Sequence, residues 1–375
     1  MKRATGWDRA MRLARLLAIV WIGVACRAHQ AAPTMETSPT VTSSFATEAA
    51  VAPTTVVATA APATTTPSDE EAQASLRELT IFYTNDEHGW MEGMEPGMGA
   101  ANLMGLWRAA GYEEDGSYLV LSGGDMWTGP AISTWFEGES MAEVLNAMDY
   151  AAAAVGNHEF DFGLEALRAR SLESDFPFLS ANVRDAGGET PREWGIEPYA
   201  IVERNGIQVG IIGLTTTSTP VTTNPTNVQA FHFLDYEQAL REVTPQVRAD
   251  GAKLLVVTGH LCRNELEALA QKVRDLHIQF MGGGHCNELF AETIAGAVLV
   301  EGGYHLRSYA RADLLFDTAS DTLVEADAVT GQNDPASAPD ERVAAIVSRW
   351  QAQAEEELNV VIGYSEHGLP RRSDK

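Results

Sequence analysis

The chain has 375 residues, 45% of them hydrophobic, which supplies a core for one large or two ordinary domains. Its 52 acidic against 26 basic residues leave a formal charge of −26, a surface that repels nucleic-acid backbones and anionic membranes and excludes a polyanion binder. Capture of a small phosphorylated molecule would then need local positive charge, of the kind that bound divalent cations supply.

Lys2, Arg3, Arg9, Arg12 and Arg15 precede an apolar run over 16–25, a signal-peptide pattern too short for an ordinary membrane span. Cys26 follows Val24 and Ala25, as in the lipobox of bacterial lipoproteins, although Gly23 stands where that pattern prefers Leu. Lipid attachment at Cys26, plain cleavage nearby and an uncleaved anchor all stay open, and each places the rest of the chain outside the cytoplasm. Residues 27–75 are rich in Ala, Thr, Val and Pro and read as a flexible tether to a folded part expected over 76–365. Residues 366–375 are a tail or the start of a further domain.

Residues 76–83 (LRELTIFY) are apolar and rich in strand formers, and they run straight into the polar loop TNDEHG. The same strand-then-loop unit recurs at 118–121 before SGGD, 151–155 before GNHEFD, 254–257 before TGH and 278–281 before GGGHCN. Between these strands, apolar residues spaced three or four apart predict helices over 101–110, 140–148, 164–171, 236–247 and 264–276. A hairpin over 308–316 and 322–329, turning at DTASD, and a helix over 340–358 close the pattern. Alternating strands and helices predict an α/β domain, in which ligands gather at the carboxyl ends of the strands.

Each polar loop has a bland reading by itself. Asp86 and His88 suit a turn, Asp125 suits a helix start, and His260 suits a strand end satisfied by backbone. Together, five strands delivering Asp, His or Asn at one end make an oxygen and nitrogen cluster of the kind that binds Zn, Mn or Fe. Trp90, Trp127, Trp135 and Phe162 flank these loops, either to stack on an apolar leaving group or to pack beneath the loops.

The order DEH (Asp86, His88), GGD (Asp125), GNHEFDFG (Asn157, His158, Asp161), GH (His260) and GGGH (His285) resembles the calcineurin-like metallophosphoesterases, most closely the branch of 5'-nucleotidases and 2',3'-cyclic phosphodiesterases. The resemblance covers 76–363 and implies a four-layer α-β-β-α sandwich. It further implies two divalent metal ions, Mn²⁺ or Zn²⁺ foremost, with Mg²⁺, Fe and Ca²⁺ as alternatives. Asp125 would bridge them, Asp86 and His88 would hold the first, and Asn157, His260 and His285 the second. A metal-bridging hydroxide would attack the phosphorus while His158, oriented by Asp161, serves the leaving group. The implied substrate is a small phosphate monoester, a nucleotide foremost. A 2',3'-cyclic-nucleotide or other phosphodiesterase and a non-catalytic metal- or ligand-binding surface lipoprotein are the alternatives.

The chain departs from the pattern twice. The family's last metal loop reads Gly-His-any-His, and here it reads GHCN, so that Asn287 stands in the position of a first-metal ligand. An amide oxygen there lowers Zn affinity more than Mn affinity. The secreted relatives also continue into a nucleoside-binding C-terminal domain. Lastly, Cys262 and Cys286 follow His260 and His285 closely, and a bracing disulfide, two separate thiols or thiolate ligation are open.

Overall fold

The structure is a computed structural model, and it describes residues 75–114, 116–361, 363 and 364. The expected signal peptide, the tether, Cys26 and the 366–375 tail lie outside the described residues. Among the described residues no helix is long and apolar enough to cross a membrane.

Among the described residues thirteen strands build two sheets, with a separate short ribbon pairing Val183–Arg184 with His232–Phe233. The strands are β1 (Leu76–Thr84), β2 (Tyr118–Ser122), β3 (Tyr150–Ala154), β4 (Phe178–Leu179), β5 (Ile196–Glu197), β6 (Tyr199–Arg204) and β7 (Ile207–Leu214). There follow β8 (Leu254–Gly259), β9 (Phe280–Gly282), β10 (Leu289–Ile294), β11 (Ala297–Gly302), β12 (Ser308–Asp317) and β13 (Thr322–Gln332). The first sheet runs β13-β12-β1-β2-β3-β4-β5 and the second β10-β11-β9-β8-β7-β6. Within the first, β1, β2 and β3 are parallel neighbours; within the second, β7, β8, β9 and β11 are.

Side chains alternate across each strand, so one strand serves two layers. On β1, Leu79, Ile81 and Tyr83 join Val209, Val256, Phe280 and Val300 of the other sheet in an apolar layer between the sheets. Phe82 points the opposite way, into the cluster beneath the helices α1 (Ala100–Ala109), α2 (Glu139–Ala147), α3 (Leu164–Glu173) and α6 (Glu341–Leu358). On the far face, Ile212, Leu255, Val257 and Leu299 pack under α4 (Tyr236–Ala249) and α5 (Arg263–Lys272). The layers are therefore helix, sheet, sheet, helix. Each predicted helix and strand is present with ends shifted by a few residues, and the 264–276 helix ends at Lys272 before a separate turn at Arg274–Leu276.

Two antiparallel hairpins, β6–β7 and β10–β11, were not anticipated. They turn at Asn205-Gly206 and Ala295-Gly296, where all four φ angles are positive, as a two-residue turn matched to strand twist requires. The strand ends that carry the polar loops are divided between the sheets: β1, β2 and β3 in one, β8 and β9 in the other. The loops converge because the two sheets meet there.

Candidate metal centre

The chain leaves β1, β2 and β9 in conformations that side chains seldom adopt. Asp86, His88, Asp125 and His285 have φ of 52°, 47°, 60° and 75°. Left-handed backbone at a non-glycine residue costs on the order of 1–3 kcal/mol and survives only where its surroundings over-determine it. Here backbone bonds between loops do so: Asp86 N donates to Gly124 O (2.9 Å) and His88 N to Asp125 O (2.9 Å). His285 N donates to Asp86 Oδ2 at 2.9 Å, tying the second sheet's loop to the first sheet's carboxylate.

Two groups of donor atoms result. Asp86, His88 and Asp125 offer atoms all within 4.8 Å of one another, as do Asp125, His260 and His285. Asp125 belongs to both. It is buried, and its Oδ1 accepts the His158 amide at 2.8 Å while Oδ2 lies 2.9 Å from His260 Nε2. Gly156 leaves room for this carboxylate, since a Cβ there would sit 2.2 Å from Asp125 Oδ1.

Whether cations suit these atoms can be read from the hydrogen bonds already made. A carbonyl only accepts, so the contact of His260 Nδ1 with Gly123 O (2.8 Å) places the Nδ1 proton there and turns the Nε2 lone pair toward Asp125. His88 is set the same way by Thr128 O at 2.9 Å. Asn157 donates its Nδ2 to Thr222 O at 3.1 Å, and its Oδ1 is buried without a hydrogen-bond partner. Lone pairs facing a carboxylate in a dry site need a positive centre. The donor set of imidazole, carboxylate and amide suits Zn, Mn or Fe.

The electrostatics of these residues point the same way. Burial would raise the Asp125 carboxyl, but His260, His158 and His88 hold it well below the usual range. Burial opposes charge on His260 as well, and attraction to Asp125 outweighs it, lifting the imidazole to about 10. The carboxylate field that favours positive charge on these imidazoles would favour cations in the same place.

Beside the cluster, His158 Nδ1 lies 2.6 Å from Asp161 Oδ2, and the His158 ring stands edge-on to His88 at 5.2 Å between centroids. Burial lowers the His158 pKa, while Asp125 and Asp161 more than compensate, raising it to about 9. Asn287, on the loop after His285, has left-handed backbone, φ 57°, and is exposed. Cys262 and Cys286 form a disulfide, with Cα atoms 5.1 Å apart, linking the loops after β8 and β9.

Several contributors escaped the sequence reading. Glu159, inside GNHEFD, is buried and accepts from Asp125 N (2.8 Å), Met126 N (2.7 Å) and Gly156 N (2.6 Å). The segment 215–227 covers one side: Thr223 Oγ1 donates to Asp161 Oδ1 at 2.7 Å, and Ser218 Oγ lies 3.4 Å from His285 Nε2. Its run of Ser and Thr was the available signal. Trp127 and Trp135 are buried in packing, Phe162 packs against the helix-side core, and Trp90 stays half-buried against His305.

Two sheets between helix layers, with loop ligands at the carboxyl ends of strands from both, define the calcineurin-like metallophosphoesterase fold. Among solved structures, a 5'-nucleotidase precursor from Thermus thermophilus aligns with a TM-score of 0.65 and 25% identity, over 74% of this chain and 59% of that one. The calcineurin-like phosphoesterase YfkN from Bacillus subtilis aligns with a TM-score of 0.66 and 22% identity, over 76% of this chain and 100% of that one. The 5'-nucleotidase of Vibrio vulnificus is 32% identical over 248 residues, 62% of this chain and 44% of that protein. No family model matches the sequence. Over the matched stretch the chain is similar in sequence to 5'-nucleotidases, and it spans less than half the length of that curated relative.

Proposed function

We propose that the chain is an exported, dinuclear-metal phosphoesterase that hydrolyses phosphate monoesters, nucleotides foremost. The observation that carries this reading is Asp125 shared by two donor groups, with the His158–Asp161 pair beside them. Asp86, His88 and Asp125 would hold one divalent cation, and Asp125, Asn157, His260 and His285 the other. Two such cations supply an activated water and neutralise the phosphoryl oxygens.

The chain's own residues do the rest. Asp161 holds the proton of His158 at Nδ1 and is itself fixed by Thr223, so the other imidazole nitrogen faces outward to donate a proton to, or hydrogen-bond, the departing oxygen. Glu159 and the amide of His158 fix Asp125 from behind, so that the shared carboxylate needs no rearrangement. A pair of this kind has no use in metal storage, which weighs against a merely metal-binding surface protein. Export is supported by the basic-then-apolar amino terminus and by the disulfide, which persists in oxidising compartments.

The test is turnover of a monoester, a diester and AMP by the full chain supplied with Mn²⁺. Asp125→Asn is expected to lose both bound metal and activity. His158→Ala is expected to keep its metal, by elemental analysis, while kcat drops by about 10²–10⁴-fold. Equal rates in all three proteins would remove the enzyme reading, and preference for the diester would make it a phosphodiesterase.

A further inference from the structure

A run of aromatic rings leads away from the metal-ligating cluster on its exposed side. The His88 ring stands edge-on between His158, at 5.2 Å, and His305, at 5.6 Å. Trp90 lies against His305 at 5.1 Å with its plane tilted by 31°, and Tyr304 meets His305 edge-on at 4.7 Å. Trp90, Tyr304 and His305 are all half-buried, unlike Trp127 and Trp135, which packing consumes.

These rings are held in place. His305 and Leu306 have φ of 55° and 56°, successive left-handed residues that the chain maintains by donating His305 N to Asp86 O at 2.8 Å and by burying Leu306. Trp90 is fixed by its amide to Glu87 O at 3.0 Å. His305 does not converge with the cation-binding atoms; its Nδ1 lies 3.1 Å from Met94 Sδ, and it belongs to neither donor group. Arg307 donates to Tyr304 OH at 3.1 Å, and among the described residues no carboxylate forms an ion pair with it. In a chain with twice as many acidic as basic residues, an unneutralised guanidinium beside Tyr304 and His305 is a departure from the surrounding charge.

We infer that Trp90 and His305 form a shelf that stacks the aromatic part of a leaving group, the base of a nucleoside monophosphate, while Arg307 supplies positive charge at its edge. The inference rests on the proposed phosphoesterase reading and names the chemistry that its site selects. A base has a π-face whatever its identity, so such a shelf selects for an aromatic leaving group over an alkyl one without choosing among bases. Its place follows from His158. A leaving group attended by that imidazole extends over the neighbouring His88 ring, and the next rings along are His305 and Trp90.

The experiment compares kcat/KM for AMP and for glycerol 3-phosphate in the Mn²⁺-loaded full chain, Trp90→Ala, Trp90→Phe and His305→Ala. The AMP-to-glycerol-phosphate ratio is expected to fall about tenfold or more in Trp90→Ala and His305→Ala and to be largely kept in Trp90→Phe. An unchanged ratio in Trp90→Ala, with both esters slowed alike, would reduce the shelf to packing and overturn the inference. Calorimetric titration with adenosine, which has no phosphate, reads the shelf without chemistry and should weaken about tenfold in Trp90→Ala. If the parent chain hydrolyses neither ester, the phosphoesterase reading fails, and the adenosine titration still decides the shelf: equal affinity in both proteins overturns it.

Discussion

Glu159 offers no atom to the donor groups, yet it receives the amides of Asp125, Met126 and Gly156 and so sets the loop from which Asp125 points. A glutamine there would turn an NH₂ toward amides that need an acceptor. Glu159→Gln should therefore destabilise the fold by about 1–3 kcal/mol in urea denaturation and weaken metal retention in parallel. Glu301 on β11 poses the opposite problem. It is fully buried, its Oε1 has no partner and its Oε2 accepts only from Glu288 N, so burial, helped by Asp86, pushes its pKa from 4.5 to about 9. The folded state then binds the proton more tightly than the unfolded one, so this residue's contribution to stability is intact below pH 4.5 and declines as pH rises toward 9. Glu301→Gln should flatten that decline in denaturation series across pH 5–9; an unchanged slope would show that Glu301 is charged in the fold. The ligand-type residues were legible from the sequence because few side chains can serve a cation. Glu159, Thr223 and His305 were not, because a carboxylate accepting amides, a hydroxyl fixing Asp161 and a ring beside Trp90 carry no signature until distant loops meet.

At the level of elements, hydrophobic period recovered the strands that feed polar loops and the helices that cover them. The β6–β7 hairpin was also readable, since Asn205-Gly206 stands between runs of strand formers, but without ligand-type residues at its ends it drew no attention. The division of five loop-bearing strands between two sheets was not readable by period, because buried parallel strands look alike in either sheet. Helix α6 shows what the elements contribute away from the site. Its Trp350 is 6% exposed, packs against Phe136 with ring centroids 4.8 Å apart and planes tilted by 58°, and donates Nε1 to Glu143 Oε2 at 2.9 Å, joining α6 to α2. Trp350→Ala is expected to cost about 3–5 kcal/mol in chemical denaturation. A loss below 1 kcal/mol would mean that α6 is dispensable to the domain.

For the whole molecule, the formal charge of −26 opposes the approach of a dianionic phosphate monoester, the substrate class proposed above. Salt screens that repulsion over about 10 Å at 0.1 M, so kcat/KM for AMP should rise as ionic strength increases from very low values, the reverse of a positively steered enzyme. The donor groups also straddle the sandwich: Asp86, His88 and Asp125 follow strands of one sheet, and His260 and His285 follow strands of the other. Cations seated among them would act as rivets between two half-structures that otherwise adhere through an oily seam. Occupancy should then be readable as a melting temperature, with chelation loosening the entire domain in one cooperative step instead of merely silencing its chemistry.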